Sequence, residues 1–470
     1  MLSRIEAFAR RQPDAAAISG KEEIISYGAL WERAQRRADY LLRQGTAPVL
    51  LLDNGAADVF VSLVACLIAG RTYVPVRPDT PQQRLQTIAA LSGATLALTD
   101  LPLPLPGVDC CPAAELSKYG AFPVRHGESS TVYIIFTSGS TGEPKGVPIS
   151  CGNLESFLRW MCRLAPLRDL RQCRVLHQAN LSFDLSVADV YYALCGGHTL
   201  VLPDPAHATD CEEIFSTLRA QAVQVAVLTP TFAQLCLLHP AFNAEHLPAL
   251  RCIYLCGERL ESSLAQRLLK AFPRLDLLNA YGPTEATSAV SAIRITPELL
   301  ATEPVLPVGT TDNLATPVRI EDGEIVLAGD SVFSGYLGGV TGGYREAHGE
   351  RSYHTGDLGT IRDGKLYCLG RRDDQIKFNG YRIEPGEIEA QLNAIDGVQG
   401  SAVLARKTPQ GTVKMLQAFV VLQDDMTIQQ VRAALKTRLP AYMIPKSIRA
   451  LPELPVNENG KIDRKVLTTL

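Results

Sequence analysis

The densest chemistry-bearing run in the sequence is Thr137-Ser138-Gly139-Ser140-Thr141-Gly142, closed shortly afterwards by Lys145 and Gly146. Glycines let the backbone come close to an anion, while hydroxyls and free N–H groups donate to phosphate oxygens. Lys145 adds a point charge. Such a loop is suited to holding a phosphate chain. It is not the Walker loop of the P-loop NTPases, which requires Gly-Lys-Ser/Thr: here Pro144 precedes the lysine and Gly146 follows it. A plain polar turn seldom stacks so many hydroxyls around two glycines.

Other candidate residues stand apart, and each taken alone has an ordinary reading. Asp357, after Thr355-Gly356, suits a turn. Glu285 suits the start of a helix, where the dipole favours a carboxylate. Lys461 follows Asn459-Gly460, a strong tight-turn pair, and so suits an exposed, solvated loop tip. Asp184, in Ser182-Phe183-Asp184-Leu185, is either a backbone-bonded structural carboxylate or the partner of a cation, because an unpaired buried carboxylate is costly.

The elements that must position these groups follow from hydrophobic patterning. The phosphate loop is preceded by a buried strand over 132–136. Through the first 370 residues short apolar runs alternate with helical patterns: strands over 47–52, 94–98, 223–228 and 250–255, and a buried helix over 59–68. Strands alternating with helices imply parallel or mixed sheets covered by helices. Over 153–164, Leu154, Phe157, Leu158 and Met161 fall at helical spacing. From about 304 to 368 the texture changes to short strands and glycine turns, a β-rich subdomain. A charged cluster, Arg371-Arg372-Asp373-Asp374-Gln375, then separates two apolar strands, and 384–470 reads as helix, strand, strand, helix, strand. At 470 residues the chain is too long for one ordinary domain. The expected organisation is a multidomain α/β protein. A large N-terminal domain, 1–371, holds two α/β-layered sheets and the β-rich subdomain, and a small α+β domain occupies 372–470.

The motifs fall in a recognisable order. AGRTYVPVRPDTPQQRL at 69–85 and TSGSTGEPKG at 137–146 are followed by SFDLSVADVYYAL at 182–194 and NAYGPTEAT at 279–287. YHTGDLG at 353–359, GRRDDQIKFNGYRIEPGEIE at 370–389, LPAYMIP at 439–445 and NGKIDRKVL at 459–467 complete the series. In type and order they resemble the adenylate-forming (ANL) superfamily of acyl-CoA synthetases, luciferases and amino acid adenylation domains. The resemblance runs from about residue 25 to residue 467.

That resemblance implies a chemistry that the isolated residues do not. ATP converts a carboxylate to a mixed anhydride with AMP, which then leaves readily. Two anions must meet, so fixed positive charge and a metal are needed to stabilise the phosphoryl transition state. By resemblance, Thr137, Ser138, Gly139, Ser140, Thr141, Gly142 and Lys145 hold the phosphates, with Asn279, Ala280, Tyr281 and Gly282 at the nucleotide. Tyr281 stacks on adenine, Asp357 accepts the ribose hydroxyls and Arg371 contacts ribose or phosphate. Thr284 contacts the α-phosphate, Glu285 holds Mg2+ and Lys461 is the catalytic lysine. The small domain becomes a mobile lid hinged at Asp373, whose swing lets the Gly380 loop line a passage for a phosphopantetheine thiol.

Within the family, amino-acid enzymes carry an aspartate in the SFD motif to pair the substrate's ammonium, and here it is Asp184. The corresponding pocket positions are Asp184, Leu185, Ala188, Val227, Tyr254, Cys256, Ala280, Ser288 and Ala289. Several neighbourhoods (FDLSVAD, YLCGERL, YGPTEATSAV) resemble the branch that loads D-alanine onto a carrier protein, where a cysteine at the place of Cys256 narrows the pocket. Ala188 stands where a larger apolar residue is usual, and Ser288 puts a hydroxyl where an aliphatic side chain would be. Missing methylenes discriminate weakly, by about 1–3 kcal/mol each, so alanine of either hand leads, followed by serine, glycine or a small nonproteinogenic residue. The chain stops soon after the lysine motif, which points to a separate phosphopantetheinylated carrier protein as acceptor. The rival readings are an acyl- or aryl-CoA synthetase using coenzyme A, and a non-catalytic nucleotide- or carrier-binding relative.

Composition narrows the partners further. A net charge of −3 with 20% charged residues gives no reason to expect nucleic acid or an anionic membrane. No apolar stretch approaches the roughly 20 residues needed to cross a bilayer, and the N-terminus has no secretory pattern. Twelve cysteines are scattered without a metal-like or disulfide framework, as expected of reduced thiols in the cytoplasm.

Overall fold

The computed structural model describes the chain except for residues 100–104, 112–121, 124–126, 128–129, 140–141, 209, 341, 409–412, 424–425 and 456–461. The described residues form two compact units. The first comprises Met1–Pro78, Ser92–Ile135 and Val147–Arg372; the second comprises Asp79–Leu91, Phe136–Gly146 and Asp373–Leu470.

Two sheets covered by helices and a third, β-rich sheet make the first unit. An eight-stranded sheet runs in the order Ser291–Ile295, Asp276–Tyr281, Cys252–Leu255, Val225–Leu228, Arg174–Leu176, Thr199–Val201, Ala16–Ser19 and Ile24–Ser26. Its interior pairs are parallel, while the Ser291–Ile295 edge runs antiparallel to Asp276–Tyr281. This is the geometry that strands joined through helices must adopt. The second sheet orders Asp109–Cys111, Leu96–Leu98, Val49–Leu52, Tyr73–Val76, Thr131–Thr137 and Lys145–Ser150. The helix Ala57–Ala69 is buried along nearly its whole length, which is why its sequence is apolar all round. Gly70, left-handed at φ 65°, ends it. The helix expected over 153–164 is Cys151–Met161, fixed at its start by a reciprocal capping box between Ser150 and Asn153.

The β-rich region is a six-stranded sheet built from Gly309–Thr310, Lys365–Arg371, Glu350–Arg362, Glu324–Ala328 and Val318–Glu321, with Tyr344–Ala347 paired to Glu350–Arg362. Within the second unit, Pro385–Asn393, Val398–Lys407, Val413–Leu422, Ile428–Lys436 and Ser447–Ala450 follow in the expected order, and a last helix, Arg464–Thr469, adds to it. The apolar faces of the two long strands and of the helices Pro385–Asn393 and Ile428–Lys436 share one core of Ile388, Leu392, Val403, Leu416, Val431 and Leu435.

Sequence patterning divides the chain into 1–371 and 372–470. The structure cuts it between Arg372 and Asp373, and differs more at 79–91 and 136–146, which group with the C-terminal residues. Polar bonds join these segments to the C-terminal residues, and Leu85 and Ile88 are buried as well. Arg84 Nη1 donates to Glu387 Oε1 at 2.5 Å, and the Gly139 N–H donates to Glu387 Oε2 at 3.1 Å. Ser138 Oγ donates to the Arg382 carbonyl at 2.8 Å and accepts from the Glu384 N–H at 3.2 Å. All twelve cysteines are free, and among the described residues no helix is long and apolar enough to cross a membrane.

Candidate active site

Three of the residues expected to line the amino acid pocket, Val227, Tyr254 and Ala280, share one sheet face. Alternation along the strands sends Val227, Tyr254, Leu278 and Ala280 to one core and their neighbours Leu228, Ile253, Leu255 and Leu277 to the other. Register then sets Val227 beside Tyr254 and Tyr254 beside Leu278. Cys256, two residues past Tyr254, reaches the next turn of chain, its thiol donating to the Ser288 carbonyl at 3.9 Å. Ala280, Ala289 and Cys256 are all buried, so this wall is lined by small groups around one large ring.

Asp184 and Leu185 lie at the entry to the helix Ser186–Gly196, with Leu185 at its N-cap and Ala188 in its first turn, fully buried. Two buried bonds hold this corner. His177 Nδ1 meets Asp189 Oδ1 at 2.9 Å, tying the end of strand Arg174–Leu176 to the helix. The Leu181 N–H donates to Asp53 Oδ2 at 2.7 Å. Burial raises the Asp189 carboxyl above its ordinary range, with His177 pulling the other way.

Across from the helix, the chain between the strands Asp276–Tyr281 and Ser291–Ile295 makes the turn that carries Thr284 and Glu285. Thr284 Oγ1 donates to Asp184 Oδ2 at 2.7 Å. Glu285 is fully buried, and Tyr336 donates its hydroxyl to Glu285 Oε1 at 2.5 Å. Thr287 and Ser288 are both left-handed, at φ 60° and 69°, a costly backbone for a β-branched residue. The surroundings hold them there. Thr287 Oγ1 donates to the Ser331 carbonyl at 2.8 Å, and the Val290 N–H returns to the Tyr281 carbonyl at 2.9 Å. Gly282 passes so close that a Cβ would sit 2.5 Å from Ala289 Cα.

The expected nucleotide residues of the first unit form a second cluster. Asp357 Oδ2 accepts the Tyr281 hydroxyl at 2.6 Å and its Oδ1 accepts Arg371 Nη1 at 2.7 Å. Burial, reinforced by that carboxylate, pushes the Tyr281 hydroxyl well above its ordinary range. Tyr281 therefore offers a ring whose hydroxyl is already committed, and Asp357 has one donor on each oxygen before any ribose arrives. Asn279 is buried with its amide donating to the Pro307 carbonyl at 2.8 Å, a brace for the adjoining loop.

The phosphate loop belongs to the second unit, where Ser138 and Gly139 are bonded as described. A Cβ on Gly139 would lie 1.9 Å from the Glu143 carbonyl oxygen, so only glycine fits that turn. Gly142 is left-handed at φ 90°, and Lys145 opens the strand Lys145–Ser150. The Thr137 hydroxyl is buried without a partner. Asp373 caps the next turn, its Oδ1 accepting the Gln375 N–H at 3.2 Å, and Gly380 is left-handed at φ 82°. Ser140, Thr141 and Lys461 lie outside the described residues.

A magnesium ion bridging phosphates needs only one or two protein carboxylates, the rest of its shell being phosphate and water. Glu285, oriented by Tyr336, could supply one, with the Thr284 hydroxyl in the adjoining residue. Among the described residues no group of three His, Cys, Asp or Glu side chains could cage a metal.

Tyr336 meets an expected site residue, and Tyr133 lies on the strand into the expected phosphate loop, neither with any local sequence signal. Tyr336 lies 51 residues beyond Glu285. Tyr133, on the strand leading into the phosphate loop, is fully buried with an unpartnered hydroxyl, and Asp184 adds to the burial that raises it. Alternation along 132–136 could place Tyr133 inside, but gives no sign that its hydroxyl lacks a partner.

Residues 5–337 match the AMP-binding enzyme family, and residues 387–461 match the AMP-binding enzyme C-terminal domain. The D-alanine–D-alanyl carrier protein ligase of Bacillus licheniformis is 36% identical over 99% of this chain and 98% of its own. That of Listeria welshimeri is 37% identical over the same shares. Among solved structures, a nonribosomal peptide synthetase protein containing adenylation and PCP domains superposes with a TM-score of 0.84 at 25% identity, covering 99% of this chain and 83% of that one. An adenylation domain of Vibrio cholerae in complex with glycyl-adenosine-5'-phosphate has the same fold, with a TM-score of 0.85 at 24% identity over 100% of this chain and 96% of that one.

Proposed function

The chain belongs to the AMP-binding enzyme family, and from that premise we propose that it activates a small, alanine-like amino acid with ATP and loads it onto a carrier protein. The substrate carboxylate attacks the α-phosphorus, the bond to pyrophosphate breaks, and aminoacyl-AMP forms. The phosphopantetheine thiolate of a separate carrier protein then attacks the carbonyl carbon, and AMP leaves.

The observation that carries this reading is the contact between Asp184 and Thr284. A carboxylate fit for an ammonium is bonded directly to the hydroxyl that adjoins Glu285. An α-amino acid carries its ammonium and carboxylate on the same carbon, so anchoring the first delivers the second to the neighbouring phosphate, which is catalysis by positioning. Glu285 would hold Mg2+, whose charge offsets that of the crowded phosphates. Asp357, braced by Tyr281 and Arg371, is the acceptor for ribose hydroxyls, and ionised carboxylates make the stronger hydrogen bonds such recognition needs. Lys461 is assigned by its motif as the cation that reaches the reacting carboxylate and α-phosphate.

The direct test is amino-acid-dependent exchange of pyrophosphate into ATP, followed by transfer to phosphopantetheinylated carrier or to coenzyme A. Exchange with small amino acids and transfer to carrier are expected. Exchange only with benzoates or fatty acids, or transfer only to coenzyme A, overturns the reading. Lys461→Ala is expected to abolish exchange while sparing thioester formation from supplied aminoacyl-AMP; equal loss of both steps removes Lys461 from its assigned role.

A further inference from the structure

Asp184 stands on a stretch of chain, residues 177–185, that is neither strand nor helix and joins the strand Arg174–Leu176 to the helix Ser186–Gly196. Short-range bonds shape it from within. Asn180 Oδ1 accepts the Ser182 N–H at 3.0 Å and the Ser182 hydroxyl at 2.7 Å, and the Ser186 hydroxyl donates to the Phe183 carbonyl at 2.8 Å. Those bonds do not set where the stretch lies. Two longer connections bear on that. The His177–Asp189 bond closes the two ends on each other, across 12 positions of sequence. Asp53, which follows the strand Val49–Leu52 of the second sheet, holds the middle: its Oδ2 accepts the Leu181 N–H, and its Oδ1 accepts the Gly55 N–H at 3.0 Å.

The side chains of Asp53, His177 and Asp189 are all buried. Burial raises the Asp189 carboxyl and works against a charge on His177, yet Asp189 together with Asp53 leaves the His177 imidazole above its ordinary 6.5. Two carboxylates therefore act on this ring, one from the helix and one from the second sheet, and an imidazolium between them offsets their charge. Phe60, on the helix that follows Asp53, meets the ring edge-on, with centroids 5.0 Å apart and planes at 85°.

Such a buried network is a poor source of stability, because desolvation offsets most of its attraction and apolar residues of the same volume often serve as well. What it supplies is direction, since each bond fixes the angle as well as the distance of the atoms it joins. The residue set in place is Asp184, which in the proposed reaction meets the substrate's ammonium while it accepts the Thr284 hydroxyl. A misplacement of about 1 Å can cost ~100-fold in rate. We propose that Asp53 and His177 are positioning residues for the amino acid site: through Leu181 and Asp189 they set the stretch that carries Asp184. This inference rests on the amino acid adenylation proposed above and adds the groups that align its ammonium-binding carboxylate.

Pyrophosphate exchange tests it, with ATP and the amino acid varied in turn, the amino acid being whichever of alanine, serine or glycine the unmodified protein uses best. His177→Ala removes the bond to Asp189, whereas His177→Asn keeps a side-chain N–H that can donate to Asp189 Oδ1. The amino acid KM should rise ~10-fold or more in His177→Ala and return to within ~3-fold of the parent in His177→Asn, with the KM for ATP within ~2-fold in both. Asp53→Asn sets an amide NH2 against one of the two backbone N–H groups and should also raise the amino acid KM ~10-fold, again with little change for ATP. It keeps the volume of the side chain and carries the test if His177→Ala does not fold. An amino acid KM left unchanged in His177→Ala and Asp53→Asn overturns the inference while adenylation stands. So do losses that fall equally on kcat and on the KM values of both substrates. No exchange by the unmodified protein with any amino acid overturns the adenylation reading itself.

Discussion

Thr284 donates its hydroxyl to Asp184 across 2.7 Å, joining two residues 100 positions apart in the chain. In the proposed reaction, the residue that would hold the substrate's ammonium is thereby aligned by the one that would contact the α-phosphate. Asp184→Asn keeps the shape and removes the charge. A hydrogen bond to a charged group contributes about 1.5–3 kcal/mol, so the KM for the amino acid should rise ~10- to 100-fold with the KM for ATP little changed. Thr284→Val should raise the amino acid KM less and lower kcat as well. Steady-state exchange kinetics separate the two, and an unchanged amino acid KM in Asp184→Asn removes it from substrate binding.

Tyr336 orients the fully buried Glu285 carboxylate. Tyr336→Phe deletes one hydroxyl and little volume, leaving a buried carboxylate short of a donor. The magnesium concentration giving half-maximal exchange should shift, and kcat should fall ~10-fold, the scale seen when a partner orienting a metal ligand is lost. A variant with an unchanged magnesium dependence would show that Tyr336 only fills space.

Arg84 and Glu387 form a buried pair in the second unit, their side chains 8% and 1% exposed. Burial raises the Glu387 carboxyl, and Arg84 with the Gly139 N–H opposes that rise. Arg84→Ala strands a buried carboxylate and should cost about 3–5 kcal/mol, read as a lower denaturant midpoint. Replacing both residues with apolar side chains of similar volume should cost much less. If the single and double variants lose equal stability, the ion pair is not what holds these segments together.

His198 is neutral in the folded protein. Its Nδ1 accepts the Cys173 N–H at 3.1 Å, and burial, with Arg171 adding to it, depresses its pKa from 6.5 to about 4. Above pH 6.5 neither folded nor unfolded His198 holds an extra proton, and its contribution is complete. Between pH 6.5 and 4 only the unfolded chain takes one up, so stability falls with acidification by up to about 1.4 kcal/mol per pH unit from this residue. Denaturant unfolding between pH 7 and 4.5 should show a shallower loss in His198→Gln than in the parent. A resonance assigned to the His198 imidazole that titrates near pH 6.5 in the folded protein would contradict the burial argument.

Much of this protein was legible before any fold was built. Glycines and hydroxyls at 137–142 announce an anion loop because that chemistry is carried by neighbours in sequence. The strands at Val225–Leu228 and Cys252–Leu255 are apolar on both faces, and the structure buries both faces, so their runs read directly as interior parallel strands. The motif order likewise carried the family, since each motif is a local string.

Relationships between strings were decided only by the folded chain. Whether Asp184 meets a threonine, whether Glu285 has a tyrosine to orient it, and whether segments 79–91 and 136–146 group with the C-terminal residues all depend on how distant segments cross. Local propensity and periodicity carry no information about that. The bond from the Leu181 N–H to Asp53 makes the point most sharply. A sequence shows that a carboxylate is present, but which donor it meets is known only when every neighbour has its place.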